Sequence, residues 1–226
     1  LIICFCLAVA NFSFDNFKEK RDEAGRYRAQ NGMFISDFVE EINERYLGGA
    51  LSVRRAEEFR DHFAPNYIAL SPSIISSNSL ASFAIIAHEL GHALQYKKGE
   101  LTKHWQRRSK NRILGKFFLP LVLVGVVLAV LGLLSVLPTF VMYIGIGFLG
   151  LSFVIFLIAC YSKYLEIRVE KSASKYGMNF LKECLTKGEA KICEELLNSA
   201  RLTYWGSLFR TMLGWTMLTK KDKMFN

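Results

Sequence analysis

Histidine and glutamate stand together in His88-Glu89-Leu90-Gly91-His92, an H-E-x-x-H. Four residues make just over one turn of α-helix, so on a helix both imidazoles project from one face and can share a single Zn2+. Glu89 then lies beside the metal, placed to take a proton from water. Two core histidines would be the plain alternative, but they leave Glu89 unexplained on a segment otherwise rich in Ala, Ile and Leu. A catalytic zinc site takes three protein ligands and keeps a fourth position open. The remaining histidines are His62 and His104, and the obvious carboxylates are Glu166 and Glu170, spaced i, i+4. Geometry alone does not choose between those two carboxylates.

The pair of histidines needs a helix beneath it. Ser76-Ser77-Asn78-Ser79 offers several N-cap residues ahead of an apolar run, so a helix is predicted from about 79 to 98. Gly91 leaves one side of its turn open, at a cost of about 1 kcal/mol in helix propensity relative to Ala. Upstream, Phe34, Phe38, Ile42 and Tyr46 repeat at helical spacing until Gly48-Gly49 breaks the pattern, and Ala56 to His62 reads as another short helical stretch. Tyr67 to Leu70 is short and β-prone between Pro65 and Pro72, which predicts an edge strand. His62 reads as a turn or capping residue, and His104, among Lys103, Arg107 and Arg108, as an exposed interfacial one.

From Phe117 to Ser162 there are 46 residues without one Asp, Glu, Lys or Arg. At ~1.5 Å per residue a helix of that length reaches roughly 69 Å, twice a hydrocarbon core of about 30 Å. Pro138-Thr139 near the middle is the natural turn, and Pro120 falls in the first turn, where proline is tolerated. Eight Lys or Arg lie between Lys97 and Lys116, and Lys163, Arg168, Lys171 and Lys175 follow the run on its other side. Basic residues at both outer ends place both in the cytoplasm. Only about nine apolar residues precede the H-E-x-x-H, and Lys97-Lys98 follow it, so the site belongs at the membrane surface rather than at mid-bilayer.

These features exclude a freely soluble protein and a disordered one, since 51% of the 226 residues are hydrophobic and 13% aromatic. The net charge of +9 gathers beside the apolar run and carries no nucleic-acid signature, so the partner is a lipid bilayer and no nucleic acid. Five cysteines without a C-x-x-C read as reduced packing residues. Residues 1–14 open on ten apolar residues, with Lys18, Lys20 and Arg21 close behind, and read as a partial N-terminal membrane anchor. Four further regions follow: a cytoplasmic-side region at 15–116 with the H-E-x-x-H helix, a hairpin at 117–162, helices at 163–200 with a break near Lys187-Gly188, and an apolar C-terminal membrane or interfacial helix with a basic tail at 201–226.

The segment Ala81 to Tyr96, A-S-F-A-I-I-A-H-E-L-G-H-A-L-Q-Y, resembles the active-site helix of the YugP-type membrane zinc metallopeptidases. Asp61 to Pro72 is similar to that family's D-H-Y-D-P…L-R-L-S-P, Val169 to Ser174 to its V-E-F-[DN]-A-S, and Leu197 to Tyr204 to its L-N-A-A-A-L-T-Y. The resemblance runs from about Asp61 to Trp215 in the family's order. It implies a gluzincin with Zn2+ on His88, His92 and Glu170, Glu89 as base, and Tyr204 as an oxyanion donor; Glu166, from the spacing alone, stays the runner-up third ligand. Lys171 and Ser172 depart from the family's pattern next to Glu170. The expected fold is mainly α and integral to the membrane: an active-site helix joined to a transmembrane hairpin, with a short edge strand and a C-terminal amphipathic or membrane helix. The expected activity is hydrolysis of peptide bonds in membrane-associated proteins or peptides; the alternative is a zinc-stabilised, non-catalytic membrane adaptor. A channel or carrier ranks lower, because the hairpin holds only scattered Ser, Thr and Tyr.

Overall fold

The computed structural model describes residues 2–56 and 61–212. The helix that carries the H-E-x-x-H, α4 (Leu80–Lys97), lies at its centre. Ser79 caps it from an extended backbone, its hydroxyl accepting the Ser82 amide at 3.3 Å. Leu80, Phe83, Ala84, Ala87 and Leu90 are wholly buried, so the helix has apolar neighbours on most sides. Before it come α1 (Ile2–Gly25), α2 (Ile35–Ile42) with a following π-turn (Asn43–Leu47), and the one-turn α3 (Pro72–Ile75). Phe38 and Ile42 of α2 are fully buried, and Phe38 packs edge-on against Phe83 at 5.4 Å. Gly48 ends this stretch in the left-handed conformation, φ 76°, as the Gly-Gly pair predicts.

Three strands, β1 (Ser52–Arg55), β2 (His62–Ala64) and β3 (Tyr67–Leu70), form a sheet in the order β1-β3-β2. Tyr67 to Leu70 is therefore the central strand, not an edge. It pairs parallel with β1 and antiparallel with β2, and Ile68, Ala69 and Leu70 are buried. The prolines that suggested an edge lie just outside the paired residues. Pro65 and Asn66, the latter at φ 75°, occupy the two centre positions of the β2–β3 turn, the pattern of a type II turn. The helical reading of Ala56 to His62 fails at both ends, since Ala56 is irregular and His62 begins β2; positions 57–60 lie outside the described residues.

After α5 (Glu100–Gly115) the uncharged run folds as α6 (Phe118–Leu133), a turn, and α7 (Thr139–Cys184) with Pro138 at its N-cap. The first apolar segment, counted from Ile113 through Leu133, and α7 are each long and apolar enough to cross a membrane. Their backbones approach closely: a methyl group on Gly145 would meet the Ala129 amide at 2.5 Å, and one on Gly132 the Met142 amide at 2.6 Å. Leu123, Val127 and Phe153 point outward, 54–60% exposed. The charged residues that begin at Lys163 do not end the helix, which continues unbroken to Cys184. The break falls at Leu185-Thr186, before α8 (Lys187–Met212). There Glu189 accepts the Thr186 amide at 2.9 Å and hydroxyl at 2.6 Å, closing the helix start as a capping box. Its other oxygen accepts the Gln30 amide at 2.6 Å and ties α8 to the loop after α1. The described part of α8 ends at Met212, so the rest of the expected C-terminal membrane helix and the basic tail lie outside the described residues.

Candidate metal centre

Small residues set the crossing of α4 over α7. Gly91 is not open space: a methyl group there would collide with the Ala173 carbonyl. One turn of α7 further on, a methyl on Gly177 would meet the Ala87 carbonyl at 2.6 Å. This close approach brings residue 170 of α7 under residues 88 and 92 of α4. Glu170 Oε2 lies 3.0 Å from His88 Nε2 and 3.2 Å from His92 Nε2. All three ligand atoms fall within 4.8 Å of one another. A tetrahedral ion with bonds of about 2.0–2.1 Å holds its ligand atoms about 3.3 Å apart. Two imidazoles and a carboxylate at this spacing fit Zn2+. Glu166, the runner-up, instead pairs with Lys163 at 3.2 Å.

The second nitrogen of each ring is held as well. His88 Nδ1 lies 3.1 Å from Ser174 Oγ, and His92 Nδ1 lies 2.9 Å from Gln95 Oε1. Gln95 Nε2 donates to the Val169 carbonyl at 2.8 Å, which fixes the amide so that its oxygen faces His92. His92 Nδ1 therefore carries a proton, and a neutral ring keeps its Nε2 lone pair for a metal. Burial opposes a charge on His92, but the Glu170 carboxylate outweighs it and pushes the imidazole up to about 9. A proton thus occupies the position that a cation would take.

Tyr204, from α8, hydrogen-bonds Glu170. Burial, with the Glu170 and Glu89 carboxylates nearby, raises its phenol well above the usual value, so it stays a donor. Glu89 and Tyr204 line, with the three ligands, a cleft of about 770 Å³. Its walls come from α1 and α8 and from β2 and α5, where Phe63 and Trp105 stack at 6.3 Å. His62 and His104 also line it. His62 is a strand residue set edge-on to Tyr67 at 6.3 Å, not a turn or cap. His104 is half-buried in the cleft wall rather than an exposed interfacial residue.

Ser174 and Gln95 escape a reading of the sequence as ring partners, although each has a spacing signal. Ser174 stands four residues after Glu170 and Gln95 three after His92, so each shares a helix face with a ligand. Comparison with curated proteins and with solved structures returns no match. A family model described as "Putative neutral zinc metallopeptidase" matches residues 1–219, almost the whole chain, and the YugP-type proteins are this family. With a triad suited to zinc already in place, that match makes the chain a member of this zinc metallopeptidase family, with Zn2+ as its cofactor.

Proposed function

We propose that the chain is a membrane-embedded zinc endopeptidase that cleaves membrane-associated proteins or peptides at the cytoplasmic membrane surface. The convergence of His88, His92 and Glu170 in a cleft that Glu89 also lines carries this reading. Bound there, zinc supplies a Lewis acid that polarises the scissile carbonyl and acidifies water. Glu89 takes the proton of the attacking water and returns it to the leaving amine. Ser174 and Gln95 hold the imidazoles in register, and Gln95 also fixes the tautomer of His92. Tyr204, protonated and on the cleft wall, donates its one phenolic proton to Glu170, and would serve a developing oxyanion only by turning that proton away from Glu170.

The uncharged run of 46 residues supports a membrane hairpin, and the basic residues at both of its ends support a cytoplasmic site. A purely structural zinc site uses four protein ligands; three gather here among the described residues, beside a carboxylate that such a site does not need. The test is peptide cleavage by the detergent-purified protein beside Glu89→Gln. The variant is expected to keep its zinc and lose roughly 10²–10⁴-fold in rate. Full activity in Glu89→Gln removes the assigned base. A wild type that holds zinc and cuts no membrane-derived peptide is an adaptor instead.

A further inference from the structure

Most charged groups in the cleft already have a role. Glu170 belongs to the metal triad, Glu89 lines the cleft with it as the proposed base, and Asp61 accepts the Ser71 amide at 2.6 Å. Lys18 and Arg21 have none. They stand one turn apart on α1, both line the cleft, and among the described residues neither forms an ion pair or a side-chain hydrogen bond. Lys20, between them in sequence, shows the contrast: Glu23 and Glu195 each hold it at 2.9 Å. Asp15 shares the cleft face of α1, which leaves two cations against one acid on that wall.

A cleft of about 770 Å³ is of the size that takes a small ligand or a short extended peptide, not a folded domain. Glu89 and the α1 residues line the same cleft, so a peptide filling it meets both. Both side chains are exposed, so they reach into the cleft mouth from the solvent side, and an arginine fork beside a lysine at such a rim suits a carboxylate.

We propose that Lys18 and Arg21 bind a carboxylate side chain of the substrate close to the scissile bond, and so select acidic peptide segments. This rests on the peptidase reading above and names its substrate class. The probe is a series of short fluorescent peptides, neutral except for a single Glu moved through the sequence, each compared with its Gln counterpart. Binding is read by anisotropy on zinc-loaded Glu89→Gln protein in neutral detergent, where nothing is cut.

At one or two positions Glu is expected to bind about tenfold tighter than Gln. Lys18→Ala with Arg21→Ala should bring that ratio towards one. Lys18→Glu with Arg21→Glu should make a moved Lys the preferred residue, a gain that misfolding does not produce. A ratio near one at every position overturns the proposal, and so does a preference that survives the charge swap. If the charge swap abolishes binding to phosphatidylglycerol vesicles while the peptide ratio stays, the pair is a lipid-headgroup site and the proposal is wrong. Wild-type cleavage is scored separately. Selective binding without any cleavage leaves the carboxylate site standing and refutes the peptidase reading; cleavage with no acid preference does the reverse.

Discussion

Gln95 joins the two helices of the metal centre through one buried amide, with its NH2 on Val169 of α7 and its oxygen on His92 of α4. Gln95→Leu removes the acceptor and frees the ring to change tautomer. Zinc affinity, measured by chelator competition, should fall about 10–100-fold; an unchanged affinity would make Gln95 a packing residue only. Tyr204→Phe tests a different bond. Loss of the hydroxyl on Glu170 should weaken zinc about tenfold, whereas a fall in kcat at saturating zinc with affinity intact would assign Tyr204 to the oxyanion. The proton on His92 has its own consequence. With its imidazole pushed up to about 9, zinc entry below that pH displaces a proton. Apparent affinity should rise as pH rises through neutrality and level off above about 9; a flat profile through neutrality contradicts this. His88, Glu89 and His92 are legible because one helical turn links them. Gln95 and Ser174 are harder to read, because a glutamine or serine becomes a ring partner only once α4 and α7 cross.

At the scale of the elements, Gly91 sets two effects against each other. Alanine would gain about 1 kcal/mol of helix propensity, yet its methyl meets the backbone of Ala173, which cannot rotate away. Overpacking of this kind costs about 1–3 kcal/mol, so Gly91→Ala should lower Tm and zinc affinity together. A more stable variant with zinc retained would show that the helices can part without harm. Glu189 governs the start of α8 in a pH-dependent way. Burial raises its carboxyl, but hydrogen bonds from Thr186 and Gln30 prevail and hold it below the ordinary 4.5. A carboxyl lowered in the folded state stabilises above its unfolded value, and that contribution disappears as pH falls through the folded one. Glu189→Gln should therefore cost about 1–2 kcal/mol near neutral pH and progressively less below pH 4.5. Denaturation at the two pH values checks it. The Ser79 cap and the Gly48 stop could be read directly, since each acts on its own neighbours. The sheet could not: β3 is central only because β1 and β2, neither apolar enough to stand out, pair with it on either side.

For the molecule as a whole, α7 joins the apolar hairpin to the metal centre without a break. Glu170 stands eight residues past Ser162, about 12 Å beyond the end of the uncharged run. The run itself and the turn at Pro138 are plain in the sequence, because no water-facing helix goes 46 residues without charge. The continuity of α7 is less plain, since the charge that starts at Lys163 looks like the start of a new element although nothing there breaks a helix. If the hairpin spans the bilayer, the protein should stay with membranes through an alkaline carbonate wash; release into the supernatant would argue for a peripheral chain. The central claim, a three-ligand zinc site completed from α7, is tested most directly by the metal content of detergent-purified wild type beside Glu170→Ala and Glu166→Ala. About one zinc per chain in the wild type and in Glu166→Ala, with loss in Glu170→Ala, is the result expected for His88, His92 and Glu170. Loss in Glu166→Ala alone would shift the ligand by one helical turn, and a wild type without zinc after reconstitution would contradict the metal centre altogether.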